Sequence, residues 1–245
     1  MTTRHGGVSK DSFASMNPSH FTLDDKTYIY ENQRLLCQNL GISPKQFRIP
    51  QQTHGSTVRV LGHDFKNKSP LEQAAFLEET DALITYLPNL CIAISTADCV
   101  PILLYAPDQK MVAAIHAGWR GTVKGITQKT ASLMTTMYGC NPRKMLAAIG
   151  PSISQDAFEV GDEVVDAFEQ TNLQINKIIK RNPHTQKAHI DLWEANRQLL
   201  LQENLALKHI ATAGICTYKE HETFFSARRL GIKSGRILSG IMLKE

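Results

Sequence analysis

Residues 82–116, ALITYLPNLCIAISTADCVPILLYAPDQKMVAAIH, decide the fold. They read as four short apolar runs, 82–86, 91–96, 102–105 and 111–116, broken by Pro, Asn and Asp turn signals. Runs this short fit buried strands better than helices. Upstream, 25–39 reads as a helix ended by Gly41, and 47–62 as a strand entering the Q-Q-T-H-G turn, followed by a second strand, T-V-R-V-L. A loop and short helix cover 66–79. Downstream, 121–138 has helical periodicity, with Val123, Ile126, Thr130, Leu133 and Met137 on one face and Gly139 closing it. A strand at 145–149, helices at 161–170 and 191–204, and strands at 210–215 and 237–243 complete the pattern. The second of those helices carries the capping pair Asp191 and Glu194. Strands come in consecutive blocks rather than in βαβ alternation, so the expected class is α+β. No repeat, low-complexity tract or long linker divides the chain, and 1–245 is expected to be a single domain.

The 245 residues carry 42% hydrophobic and 20% charged side chains and a formal charge of +4, ordinary values for a globular protein. That charge, without a dense Lys/Arg run interleaved with aromatics, argues against a nucleic-acid partner. The first twenty residues lack the apolar core of a signal peptide. The most apolar stretch, 90–106, contains Ser95, Thr96, Asp98 and Pro101, so no membrane helix is expected. Five scattered cysteines, an odd number, fit reduced thiols and a cytoplasmic location.

The chemistry concentrates at three strand ends. His54, Cys99 and His116 each lie beside Gly or Pro, and one thiolate with two imidazoles suits tetrahedral Zn²⁺. Three protein donors leave a fourth position for water, whose pKa then falls to about 7. Cu²⁺ competes for the same donors. The spacing matches no short metal motif, so the alternative is a small buried cysteine and two isolated histidines. Asp98 would orient an imidazole or move a proton, or else merely cap the strand end. Arg120, between glycines in G-W-R-G, would grip phosphate or carboxylate, or else stack on Trp119. Further anion contacts would come from Arg4 and from Arg228 and Arg236; Arg229 and Lys233 read as solvated surface. The same residues are open to a metal-free cysteine hydrolase, with Cys99 as nucleophile and His116 as base. They are also open to a scaffold with structural zinc, which needs a fourth protein donor.

The motifs Q-Q-T-H-G, T-A-D-C-V-P, A-A-I-H-A-G-W-R-G, A-I-G-P-S-I, F-E-V-G and F-F-S-A-R-R…S-G-R, in this order, resemble the YfiH family. That family has been called multicopper polyphenol oxidase or laccase, and also purine nucleoside phosphorylase. T-T-R-H-G-G-V-S…F-A-S-M-N is similar to its opening motif, and the resemblance runs from Thr2 to Leu243. It implies a layered α/β/β/α fold with mixed sheets, shared in outline with cysteine-dependent toxin deamidases. It implies a zinc site at His54, Cys99 and His116. It further implies phosphorolysis of adenosine, inosine, guanosine and methylthioadenosine, with adenosine deamination besides. On that reading Cys99, His116 and Asp98 are catalytic, and Arg120, Arg4 and Arg236 bind substrate. The partner is then a small molecule, and a homodimer is compatible with the chain. The family usually carries a strand before T-T-R and a Gly-rich loop where S-H-F-T-L-D-D stands here. A copper-dependent phenol oxidase is the alternative. Multicopper chemistry demands many paired histidines, and the chain has no H-x-H pair and no Cys flanked by His.

Overall fold

The computed structural model describes residues 1–231 and 233–244. In chain order its elements are α1 (Lys26–Leu40), β1 (Phe47–Arg48), β2 (Val58–Leu61), α2 (His63–Lys66), α3 (Pro70–Phe76), β3 (Ala82–Thr85) and β4 (Cys91–Thr96). There follow β5 (Val100–Ala106), β6 (Met111–Ala117), α4 (Trp119–Val123), α5 (Ile126–Tyr138), β7 (Leu146–Ile149), β8 (Glu159–Val160) and α6 (Asp162–Glu169). The chain then forms α7 (Ile175–Ile178), β9 (Ile179–Arg181), β10 (Ala188–Ile190), α8 (Leu192–Gln202), β11 (Ile210–Thr212), α9 (Ala227–Leu230) and β12 (Ile237–Ile241).

The central block behaves as its sequence requires. All four apolar runs are strands, and three of them, β3, β5 and β6, lie in a mixed six-stranded sheet of order β11-β7-β5-β6-β3-β2. The fourth, β4, leaves that sheet and forms a second one, β1-β4-β12. Alternation explains the layering, because successive side chains on a strand point to opposite faces. Ala113 and Ile115 of β6, with Ile102 and Leu104 of β5, pack against α5, α6 and α8. Val112 and Ala114, with Leu83, pack the other way against Ile92 and Ile94 of β4. Outside the smaller sheet, Leu36 and Leu40 of α1 line one apolar cleft with Cys91, Ala93 and Gly240. The layers are therefore α/β/β/α with mixed sheets, an α+β fold. Among the described residues no helix is long and apolar enough to cross a membrane.

Two readings of the sequence need correction. The helix expected over 121–138 is two helices, α4 and α5, because Gly125 adopts φ +71° and breaks the first. The expected stripe is also displaced: Met134 is buried, whereas Met137 is 71% exposed. The strand, Q-Q-T-H-G turn and second strand expected over 47–62 do form, with β1 only Phe47–Arg48 and β2 Val58–Leu61. The small antiparallel sheet β8-β10-β9 was not legible, since strands of two or three residues show no periodicity. The cap on α8 forms as expected: the Asp191 carboxylate accepts from the Glu194 amide at 2.9 Å.

Fully buried Asn196 on α8 ties the helical layer together. Its Oδ1 accepts from Thr127 Oγ1 at 2.7 Å, and its Nδ2 donates to Thr122 Oγ1 at 3.1 Å. Asn196→Leu should cost roughly 2–4 kcal/mol by stranding both hydroxyls, each worth about 1–3 kcal/mol when left buried and unpaired. Urea unfolding measures it; an unchanged midpoint would mean that the polar cluster holds nothing.

Candidate functional site

His116 ends β6 on the face that carries Val112 and Ala114, so its ring enters the layer between the two sheets. Cys99 follows Asp98, whose φ of +85° turns the chain between β4 and β5. His54 sits in the turn after β1, also in the left-handed region at φ +60°. These three distant positions converge: the donor atoms of His54, Cys99 and His116 all lie within 4.8 Å of one another. The two imidazole rings meet edge to face, 4.8 Å apart at their centroids.

The group that assembles them is Asp81, a residue sequence reasoning missed. It is wholly buried at the start of β3. Its Oδ1 accepts from His116 Nδ1 at 2.7 Å and from the His54 amide at 3.0 Å. Its Oδ2 accepts from the Gly55 amide at 2.7 Å and from the Thr53 amide at 3.3 Å. With Nδ1 engaged, His116 presents Nε2 to the site, the arrangement found behind metal-bound imidazoles. Burial opposes the ionisation of Asp81, but His116 and the loop amides outweigh it and hold its carboxyl below the usual range. For Cys99, burial likewise opposes ionisation, yet the charge and hydrogen bond of His116, with help from His54, draw the thiol down. Burial would lower His116; the Cys99 thiolate and Asp81 push it up instead. Each group thus favours the charged form of the other, drawing the thiol toward thiolate and the imidazole toward imidazolium.

The donors fit a soft divalent ion. One sulfur and two nitrogens stand on rigid elements, and a glycine makes room for them. A Cβ on Gly118 would lie 3.0 Å from Cys99 Sγ and 3.2 Å from His54 Cδ2.

A cavity of about 320 Å³ opens over this cluster, its wall including Phe21, Asp98, Phe158, Arg228 and Arg236. Of the anticipated site residues, His54, Cys99, His116, Asp98 and Arg236 meet there. The other two arginines do not. Arg120 is exposed and stacks on Trp119, its guanidinium 4.2 Å from the ring centroid. Arg4 lies over Phe225 and donates to the carbonyls of Ala14 at 2.9 Å and His221 at 2.7 Å. It fastens the N-terminal segment to the C-terminal one and does not face the cavity. The second cavity arginine is Arg228, anchored by Nη1 to the Glu159 carbonyl at 2.9 Å and placed 5.5 Å over Phe158. Arg236 is half-buried and donates from Nη1 to the carbonyls of Ser234 at 2.6 Å and Gly235 at 2.9 Å. Burial lowers its pKa, while Cys99 and Asp98 pull it back up.

Asp98 does not orient an imidazole; Asp81 holds that place. The Asp98 carboxylate accepts from Thr217 Oγ1 at 2.7 Å, Ser226 Oγ at 3.0 Å and the Arg228 amide at 2.7 Å. It thereby draws the F-F-S-A-R-R segment to the cavity and sets Arg228 in place. The strand-end turn announced Asp98 in the sequence, but nothing in T-D-A-L-I distinguishes Asp81 from any acid preceding a strand.

Residues 1–244 match the family model described as multi-copper polyphenol oxidoreductase laccase. The chain is 45% identical over 245 residues to a purine nucleoside phosphorylase of Bacteroides thetaiotaomicron, covering 100% of this chain and 91% of that one. It is 42% identical over 243 residues to adenosine deaminase RL5 of an unknown prokaryotic organism, covering 99% and 92%. The crystal structure of YlmD from Geobacillus stearothermophilus is similar with a TM-score of 0.90 at 32% identity, covering 100% of this chain and 90% of that one.

Two outcomes follow from the geometry. Asp81→Asn should weaken Zn²⁺ binding 10–100-fold, the usual loss when the partner of a ligand imidazole is altered. Competition with a chromogenic chelator measures it, and unchanged affinity would remove Asp81 from the site. In chelator-stripped protein, Cys99 should alkylate at lower pH than an ordinary thiol, because its pKa is lowered. Replacing His116 by Ala removes the stabilising charge and raises that pKa. The alkylation rate at pH 7 should then fall, because a smaller fraction of the sulfur is thiolate. An equal or faster rate in His116→Ala would refute the thiolate–imidazolium pair.

Proposed function

We propose, since the chain belongs to the multi-copper polyphenol oxidoreductase laccase family that includes YfiH and YlmD, that it acts on purine nucleosides. The reactions are phosphorolysis of adenosine, inosine, guanosine and methylthioadenosine to base plus ribose 1-phosphate, and hydrolytic deamination of adenosine. The single observation that carries this reading is the joining of the His54–Cys99–His116 cluster with Arg228 and Arg236 in one cavity of about 320 Å³. Such a volume suits a small ligand. The relatives named purine nucleoside phosphorylase and adenosine deaminase support the choice of substrate.

In phosphorolysis a phosphate oxygen forms the bond to the ribose C1′ as the C1′–N9 bond breaks. The electron pair leaves with the purine, which takes up a proton. Arg228 and Arg236 would hold the phosphate; positioning and charge stabilisation supply most of the rate in such transfers. Phe158 and Phe21 give the cavity aromatic surface for a base. In deamination, water adds to C6 and the C6–N bond breaks, releasing ammonia. Zn²⁺ on His54, Cys99 and His116 would supply Lewis-acid polarisation, and Cu²⁺ would compete for these donors. With Cys99 and His116 engaged as ligands, Asp98 is the carboxylate of the cavity wall left to relay protons. A multicopper oxidase mechanism needs several metal sites. Among the described residues one His/Cys/carboxylate group with metal-binding spacing occurs, so the nucleoside reading is preferred.

Purified enzyme given adenosine and phosphate should release adenine and ribose 1-phosphate, and without phosphate only inosine. Neither product would eliminate the proposal. Arg228→Ala should raise the KM for phosphate roughly 10–100-fold, the loss of one charge-assisted contact, and change phosphate-independent deamination little. An unaltered phosphate KM would exclude Arg228 from anion binding.

A further inference from the structure

A second cavity, of about 380 Å³, shares no lining residue with the first. Its lining includes half-buried Arg48 at the end of β1 and the exposed Lys45, His63 and Lys66. No Asp or Glu lines it. Among the described residues none of these basic groups pairs with a carboxylate.

Arg48 is the informative member. It is half-buried, and burial lowers its pKa with no opposing anion. Yet it is rigidly held: Nη1 donates to the carbonyls of Lys45 at 2.7 Å and Phe47 at 2.9 Å, and Nη2 donates to Gln73 Oε1 at 3.0 Å. Its plane lies 5.9 Å from the Phe65 centroid. Three of its five N–H groups are thereby used, and those on Nε and the second of Nη2 remain. A fixed, partly desolvated guanidinium without a counter-ion is costly to keep, and it is pre-organised for a forked contact with phosphate. Leu87, Pro88 and Leu90 of the β3–β4 turn add apolar surface to the lining, beside Asn89.

We infer that this cavity binds a phosphorylated small molecule, its phosphate on Arg48, Lys45 and Lys66 and its body against the β3–β4 turn. The nucleoside diphosphate ADP, which joins anionic phosphates to an apolar-faced base, serves as the probe. This inference is independent of the chemistry assigned to the first cavity.

Calorimetric titration of metal-loaded enzyme with ADP tests it, alongside the double variant Lys45→Glu/Lys66→Glu and the first-cavity variant Arg228→Ala. Both lysines are exposed, so the double variant keeps the fold; its circular dichroism and melting curve verify that. ADP should bind the parent enzyme, bind the double variant at least 10-fold more weakly, and bind Arg228→Ala unchanged. Pyrophosphate should compete with ADP. The inference is overturned if ADP does not bind at millimolar concentration, or if the double variant binds it as the parent does. It is equally overturned if Arg228→Ala loses the binding, which would place ADP in the first cavity, or if pyrophosphate does not compete.

Discussion

One buried carboxylate holds this site together. Asp81 has no exposed surface and spends its acceptor capacity on two objects, the His116 ring and the amides of the 53–55 turn. An ionised carboxylate in that position is tolerable because every contact it makes is a donor. In return it fixes the tautomer of His116 and compensates the left-handed backbone of His54. Strand pairing brings the two partners together. β3 and β6 run antiparallel with Ala82 opposite Ile115, and the His116 amide donates to the Asp81 carbonyl at 2.8 Å. A slip of one residue would send His116 into the helical layer, so the apolar alternation that specifies the sheet also specifies the ligand.

The third donor depends on an absence. Gly118 follows the β6 strand with an ordinary φ of −69°, so its lack of a side chain is not needed for the backbone. It is needed for space: the place a Cβ would occupy is bounded by Cys99 Sγ and His54 Cδ2. An alanine there would crowd the sulfur and the imidazole, and one of them would have to give way. The glycine of H-A-G-W-R-G borders the His–Cys–His cluster, whereas Arg120 in the same motif does not line the cavity over it.

That contrast marks how much was legible. Short apolar runs fixed the main sheet and the α+β class, because burial on both faces writes itself into composition. His54, Cys99 and His116 were legible as donor types beside Gly and Pro, and the structure brings their side chains together. Their partner Asp81 was invisible, since a buried hydrogen bond leaves no periodic trace and an acid before a strand is commonplace. Arg228 and Arg236 do line the cavity, whereas Arg120 and Arg4 were misplaced for a related reason. Glycine flanks made Arg120 look like an anion contact, but the helix start turns it outward onto Trp119. Arg228 was named among the further anion contacts, but nothing in the run of basic residues set it above its neighbours. Its position follows from a tertiary contact, the Asp98 carboxylate accepting its amide, which spans 130 positions of sequence. The broken helix at Gly125 and the short-stranded sheet β8-β10-β9 were lost because single residues and two-residue strands lie below the reach of pattern.

Charge bookkeeping connects the donor cluster to the arginines above it. Without metal, the Cys99 thiolate, the His116 imidazolium and the Asp81 carboxylate sum to about −1. A divalent ion that displaced the imidazolium proton would raise that sum by about one charge, to near zero. The change would fall beside a cavity already walled by Arg228 and Arg236, and it would favour an anion there. Linkage makes such an effect reciprocal, so an anion held by the arginines would also tighten the ion beneath it. Arg236, close enough to Cys99 and Asp98 to feel their charges, sits where the two effects meet. Its half-buried guanidinium offsets those anions at the cavity wall.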